Sequence, residues 1–180
     1  MSRLARLVSP RIVRRFARKQ DGAAAVEFAM VAAPFLALVF AILETALIFF
    51  AGQVLETATT DSARLIMTGQ AQKGGFNQEQ FKQEVCKRVY GLFDCEGGIK
   101  VDVRTYSSFS APDMSKPIDQ NGNVTFQPEY QPGGPGDIVV VRLLYEWPVW
   151  VSLLGLNLSD LSGNKRLLMA TAAFRNEPYQ

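Results

Sequence analysis

Residues 22–51 read GAAAVEFAMVAAPFLALVFAILETALIFFA, and the reading of this stretch decides the fold. From Phe28 to Leu43 no residue is charged, and extending to Ala51 adds only Glu44 and Thr45 as polar interruptions. A bilayer core of about 30 Å needs about 20 mostly apolar residues in a helix. Only a helix or a closed barrel satisfies its backbone in lipid, and no barrel pattern accompanies this run. The stretch therefore predicts one membrane-spanning helix over residues 23–51. A cleaved secretory signal has an apolar region of about 7–15 residues. This run is about twice as long, carries Glu27 at its entrance and continues into a helical pattern.

Charge sets the expected orientation. Residues 1–22 hold Arg3, Arg6, Arg11, Arg14, Arg15, Arg18 and Lys19 against Asp21 alone, a net +6. The remaining chain has 12 basic and 16 acidic residues, a net −4. A basic cluster beside a span marks the cytoplasmic side. Residues 1–22 thus read as a cytoplasmic leader rather than a nucleic-acid arm, and residues 52–180 as a domain on the far, periplasm-like side. There Cys86 and Cys95 would meet oxidising conditions, where a disulfide can form.

Within the span, Ala25, Ala29, Ala33, Ala37 and Ala41 recur every four residues. Small residues at this spacing let membrane helices approach closely. Each step drifts about 40° round the helix, which suits crossing helices better than one straight seam. Pro34 removes one backbone donor and is expected to loosen the helix locally. Glu27 stands out because a carboxylate at the centre of a membrane helix costs about 2.5–3.5 kcal/mol. Two readings stay open for it: contact with headgroup water, or pairing with a cation from another chain. Glu44 is expected near the outer interface, or bonded to a neighbouring helix.

Beyond Ala51 the stripe Leu55, Ala58, Ser62, Leu65 and Ile66 keeps the helical period, and Gly69 is the expected stop. The helix then runs from Ala23 to Thr68, with its second half facing a soluble domain. Asn77 with Gln80 has the form of a capping box, opening an amphipathic helix expected over Gln78–Leu92. Residues 99–104 alternate apolar and charged, as a half-buried strand does. Ser107–Gly136 is a loop rich in Pro, Gly, Asn and Gln, with a hairpin signal at Asn121-Gly122. Ile138–Tyr145 reads as a buried strand and Arg166–Phe174 as the last one. Trp147, Pro148, Trp150, Leu153, Leu154 and Leu156 read as an apolar loop that covers the core, dips into the membrane interface or meets a partner. The expected class is α+β: a long N-terminal transmembrane helix whose C-terminal half packs on a small antiparallel sheet.

The chain has no histidine, no metal-ligand cluster, no GxSxG and no phosphate loop, so no catalytic centre, metal or cofactor is expected. Asp102, Asp119 and Asp137 read as scattered surface carboxylates. The sequence therefore points away from an enzyme.

Asp21-Gly22 breaks the pattern just before the span, where a protease could take an extended stretch. The run Gly22-Ala23-Ala24-Ala25-Val26-Glu27-Phe28 resembles a prepilin-peptidase site: Gly, four small or apolar residues, then Glu and an aromatic. More narrowly, Ala-Val-Glu-Phe-Ala at 25–29, Pro34, Leu-Glu-Thr at 43–45, Thr-Asp-Ser-Ala-Arg at 60–64 and the closing Arg-Asn-Glu-Pro-Tyr at 175–179 resemble the TadE-like family of tight-adherence (Flp-type) pilus systems. That family comprises minor pseudopilins and related pilus-assembly proteins of the bacterial inner membrane, which serve cell adhesion. The resemblance implies a pilin-like fold and cleavage between Gly22 and Ala23, with Glu27 as the fifth mature residue. It implies that the ammonium freed on Ala23 is neutralised by Glu27 of a neighbouring subunit. Its implied partners are inner-membrane lipid, prepilin peptidase, other pilins or pseudopilins and the tight-adherence assembly platform, with no nucleic acid. The soluble domain is larger than in the major pilin type, which argues against a shaft subunit. A membrane-anchored assembly factor that is never processed stays open as the alternative.

Overall fold

The computed structural model describes residues 22–179 apart from Tyr90, Ala111, Met114 and residues 151–156. Residues 1–21 of the expected basic leader, and Leu153, Leu154 and Leu156 of the apolar loop, lie outside the described residues. The chain divides into two compact units, Met1–Ile42 and Leu43–Gln180, with the first helix running through the division.

In the first unit the described residues are Gly22 and the opening of α1 (Ala23–Met67). The assigned helix continues through Pro34 without interruption. Every side chain from Ala23 to Val31 is exposed, including Phe28 and Met30. An all-round apolar surface of this kind suits a lipid or protein surround rather than water. Of the described residues, α1 alone is long and apolar enough to cross a membrane.

In the second unit α1 becomes one-sided. Glu44, Ile48, Ala51, Leu55, Ala58, Ser62 and Ile66 are buried, at intervals of three and four residues. That spacing puts them on one face. The face packs against a three-stranded antiparallel sheet of order β1-β2-β3, formed by β1 (Lys100–Tyr106), β2 (Ile138–Pro148) and β3 (Lys165–Arg175). Val101 opposes Leu143 and Val103 opposes Val141 across β1 and β2, while Leu143 opposes Ala170 across β2 and β3. These residues share the helix-facing side of the pleat and join Leu55 and Ile66 in one core. Leu55 and Ile66 are fully buried, and each contributes about 1.5–3 kcal/mol by leaving water. The opposite side of the sheet carries a smaller core of Leu144, Leu161 and Leu167, covered by Ile118, Val124 and Phe126 of the long loop. Ile118 bridges Val124 there, and the Asp119 carboxylate accepts from the Asn121 and Asn123 backbone N–H groups, closing the turn around Asn121-Gly122.

Three elements differ from the sequence reading. A short α2 (Gln70–Lys73) follows Gly69, and α3 spans Gln78–Cys86 rather than reaching Leu92. The Asn77 side chain accepts from Gln80 N and the Gln80 side chain accepts from Asn77 N, so the capping box is complete. Strand β2 runs on through Trp147 and Pro148, which were expected in a loop. Proline is tolerated here because β1 pairs β2 only as far as Leu144, leaving Pro148 an open side that needs no N–H.

Cys86, the last residue of α3, is bonded to Cys95. The bridge ties the end of α3 to the turns that lead into β1. Replacing both cysteines with serine is expected to lower stability by about 2–3 kcal/mol. A fall in the urea midpoint of the purified protein checks this, and an unchanged midpoint would contradict it.

The carboxyl end locks the end of α1. Asn176 donates from its side chain to the carbonyls of Pro132 and Gly134, and Glu177 N donates to Met67 O. Gly69 holds φ +75°, and a Cβ there would meet the Tyr179 ring at 2.3 Å. Gly69→Ala therefore combines a left-handed backbone with a steric conflict and is expected to cost about 1–2 kcal/mol from the backbone alone. A thermal melt equal to that of the wild type would show that Tyr179 swings away and the backbone relaxes.

Candidate functional site

The Gly22–Phe28 run lies at the start of α1. Gly22 directly precedes the helix, and Ala23 is its first residue. Gly22, Ala23, Glu27 and Phe28 are all exposed. A Cβ placed on Gly22 meets nothing within 4 Å, so the fold makes no demand for glycine there. Among the described residues no hydrogen bond or ion pair reaches the Glu27 side chain. Its carboxylate stands one helical turn from the Ala23 nitrogen, four residues along.

The alanine series does not share one environment. Ala25, Ala29 and Ala33 are exposed, Ala37 is half-buried and Ala41 is buried. The first three thus offer small, open positions to a neighbouring helix, whereas Ala41 does not.

Two features escaped the sequence reading. Glu44 is only 5% exposed, and its Oε1 accepts from the backbone N–H of Trp150 at 2.5 Å. The acid fastens the chain just beyond β2 back to the helix. The second is a charged network on the sheet. Asp102, expected at the surface, is completely buried. Its Oδ1 accepts from Arg104 Nε at 2.9 Å and from the Glu129 backbone N–H at 2.9 Å. That bond with Asp102 raises the Arg104 pKa, and Glu129 adds a further charge at 3.5 Å. Arg142, which faces Asp102 across the β1–β2 pairing, donates to the Tyr106 hydroxyl. The alternating charge of residues 99–104 placed Asp102 on the opposite side from Val101 and Val103. It held no sign that the long loop covers that side.

The other carboxylates are held locally. Asp119 shapes its own turn, and Asp137 accepts from Gly134 N at 2.7 Å. Asp102, Asp119 and Asp137 thus each serve nearby backbone or a neighbouring arginine. At the exposed N-terminal part of α1 a small-residue motif, one carboxylate and an apolar surface coincide.

No curated protein and no solved structure matches the chain. The family model described as TadE-like protein matches residues 22–64, which takes in the Gly22 motif, the exposed apolar part of α1 and most of its buried stripe. The likeness to the TadE-like family covers that segment of the chain, and the folded residues beyond it lie outside the match.

Proposed function

We propose that the protein is a minor pseudopilin of a tight-adherence (Flp-type IVb) pilus, processed by prepilin peptidase after Gly22. In this reading it is a structural, non-catalytic subunit of the bacterial inner membrane. Its leader is cytoplasmic and its folded domain periplasmic, and it contributes to pilus assembly or initiation. The observation that carries the reading is the coincidence of three things at one point of the chain. The TadE-like segment begins at residue 22, the α-helix begins at Ala23, and Gly22 is exposed with open space around it.

The physics of the step follows from charge. Cleavage removes the +6 leader, which would otherwise hold the helix at the anionic cytoplasmic face at about 1 kcal/mol per basic residue. It leaves an ammonium on Ala23 that needs a counter-charge in a low-dielectric bundle. Glu27 of an adjacent subunit supplies one and thereby sets the axial stagger between helices. A hydrogen-bonded pair of this kind can offset the desolvation of both charges.

A second reading is an unprocessed, single-pass assembly factor that binds other pilus parts through its domain. It is favoured by the size of the folded unit, Leu43–Gln180, which is far more than a bare pilin helix. Incubating the full chain in detergent with a prepilin peptidase separates the two. Loss of the leader supports the subunit, and an intact chain beside a cleaved control substrate supports the factor.

A further inference from the structure

The geometry points to a second membrane contact beside the helix: Trp150, held in place by Glu44, rests in the lipid headgroup region of the leaflet opposite the leader. The inference rests on reading α1 as a membrane span and adds to that reading where the folded domain meets the bilayer.

The exposed and buried faces of α1 do not change character at the same residue. Burial in the folded unit has begun by Glu44 and Ile48. The exposed face nevertheless stays apolar past them, with Leu47, Phe49 and Phe50 all open, and turns polar only at Gln53 and Glu56. Between Glu44 and Phe50 one side of the helix is therefore packed in a folded domain while the other is greasy. A helix wholly in lipid or wholly in water would show no such overlap. It is expected where a domain sits directly on the membrane surface.

The residue count puts this zone at the right depth. Ala23 and Glu44 are 21 residues apart in one helix, and about 20 residues cross the hydrocarbon core. Glu44 therefore falls at its far edge, and Phe49 and Phe50 in the interface beyond. Trp150 is brought to the level of Glu44 by its backbone bond to that carboxylate. Trp150 is 68% exposed, although its ring meets that of Trp147 edge-on at a centroid distance of 6.4 Å. An exposed tryptophan at this level matches the aromatic belt at membrane–water boundaries, where an apolar ring and a polar N–H are both accommodated. Lipid is the occupant chosen because the apolar face is continuous with the span.

The test uses the full chain in bilayers whose lipids carry bromine either near the carbonyl or at the chain end. The only other tryptophan is Trp147, which is buried in the core, so the Trp150 share of emission is the difference between wild type and Trp150→Phe. That share is expected to be lost mainly to the shallow bromines. In Glu44→Ala the preference for shallow bromines should weaken, because the backbone anchor is gone. An unchanged preference would overturn the role of Glu44 as the positioning residue. Loss to aqueous iodide with none to brominated lipid would overturn the membrane contact. Protection from both would also overturn it, showing protein on that face. Release of the chain by alkaline carbonate would instead fail the span reading, and retention with iodide quenching would fail this contact alone.

Discussion

Gly22→Val yields a chain that inserts and folds like the wild type but keeps its first 22 residues. The expectation rests on a contrast between the fold and the protease. In the fold, Gly22 is exposed and a Cβ there meets nothing within 4 Å, so Ala fits without conflict and Val is expected to extend into the same open space. In the protease, the residue before the cut must let the backbone lie close against the active site, which glycine permits best. A misfit of about 1.4 kcal/mol in the transition state slows cleavage about tenfold. Gly22→Ala is expected to lose at least that much, and the branched Val more. The check is the ratio of long to short forms in membranes, with the melting temperature as the control for folding. Wild-type trimming of both variants would mean that the leader is not read through Gly22.

Glu27→Gln has the second large effect, and it falls on assembly rather than on folding. The side chain is exposed and no partner in the described residues holds it, so removing its charge leaves the folded unit unchanged. Insertion becomes easier, because an amide is less costly in lipid than a carboxylate. The loss appears only when a neighbour brings its Ala23 ammonium. Removing one partner of a buried ion pair typically costs about 3–5 kcal/mol, and each 1.4 kcal/mol is tenfold in affinity. Co-purification with other pilus subunits is therefore expected to fall by at least about a hundredfold, with normal leader removal. Glu27→Asp should recover part of it. If Glu27→Gln co-purifies as well as the wild type, the carboxylate has no part in packing.

The elements carried by local rules were legible in the chain. Period-3.6 burial from Leu55 to Ile66, the stop at Gly69, the capping box of Asn77 and Gln80, and the alternation that becomes β1 each need only a few neighbouring residues. What was hidden depends on distant partners. That β2 extends through Pro148 becomes clear only from how far β1 reaches along it. That α3 stops at Cys86 is not marked by any breaker, since Val89 is fully buried beyond it in turns. Asp102 looked like a surface acid because the loop that covers it lies 27 residues away at Glu129. The bond that Glu44 makes could not be foreseen either, since its partner, Trp150, is 106 residues distant. In the candidate site the Gly22–Phe28 run could be singled out because its residues are consecutive, and the structure adds that they are exposed. The uneven exposure of the alanine series could not be read, because burial at Ala41 is a property of the folded chain rather than of spacing.

The N-terminal residue of the protein recovered from cell membranes tests the central claim most directly. The account predicts Ala23 as the first residue, in a chain shorter by the 22 residues of the leader. Recovery of the chain with Arg3, Arg6 and the rest of the basic cluster still attached, in cells whose prepilin peptidase trims its other substrates, would contradict it.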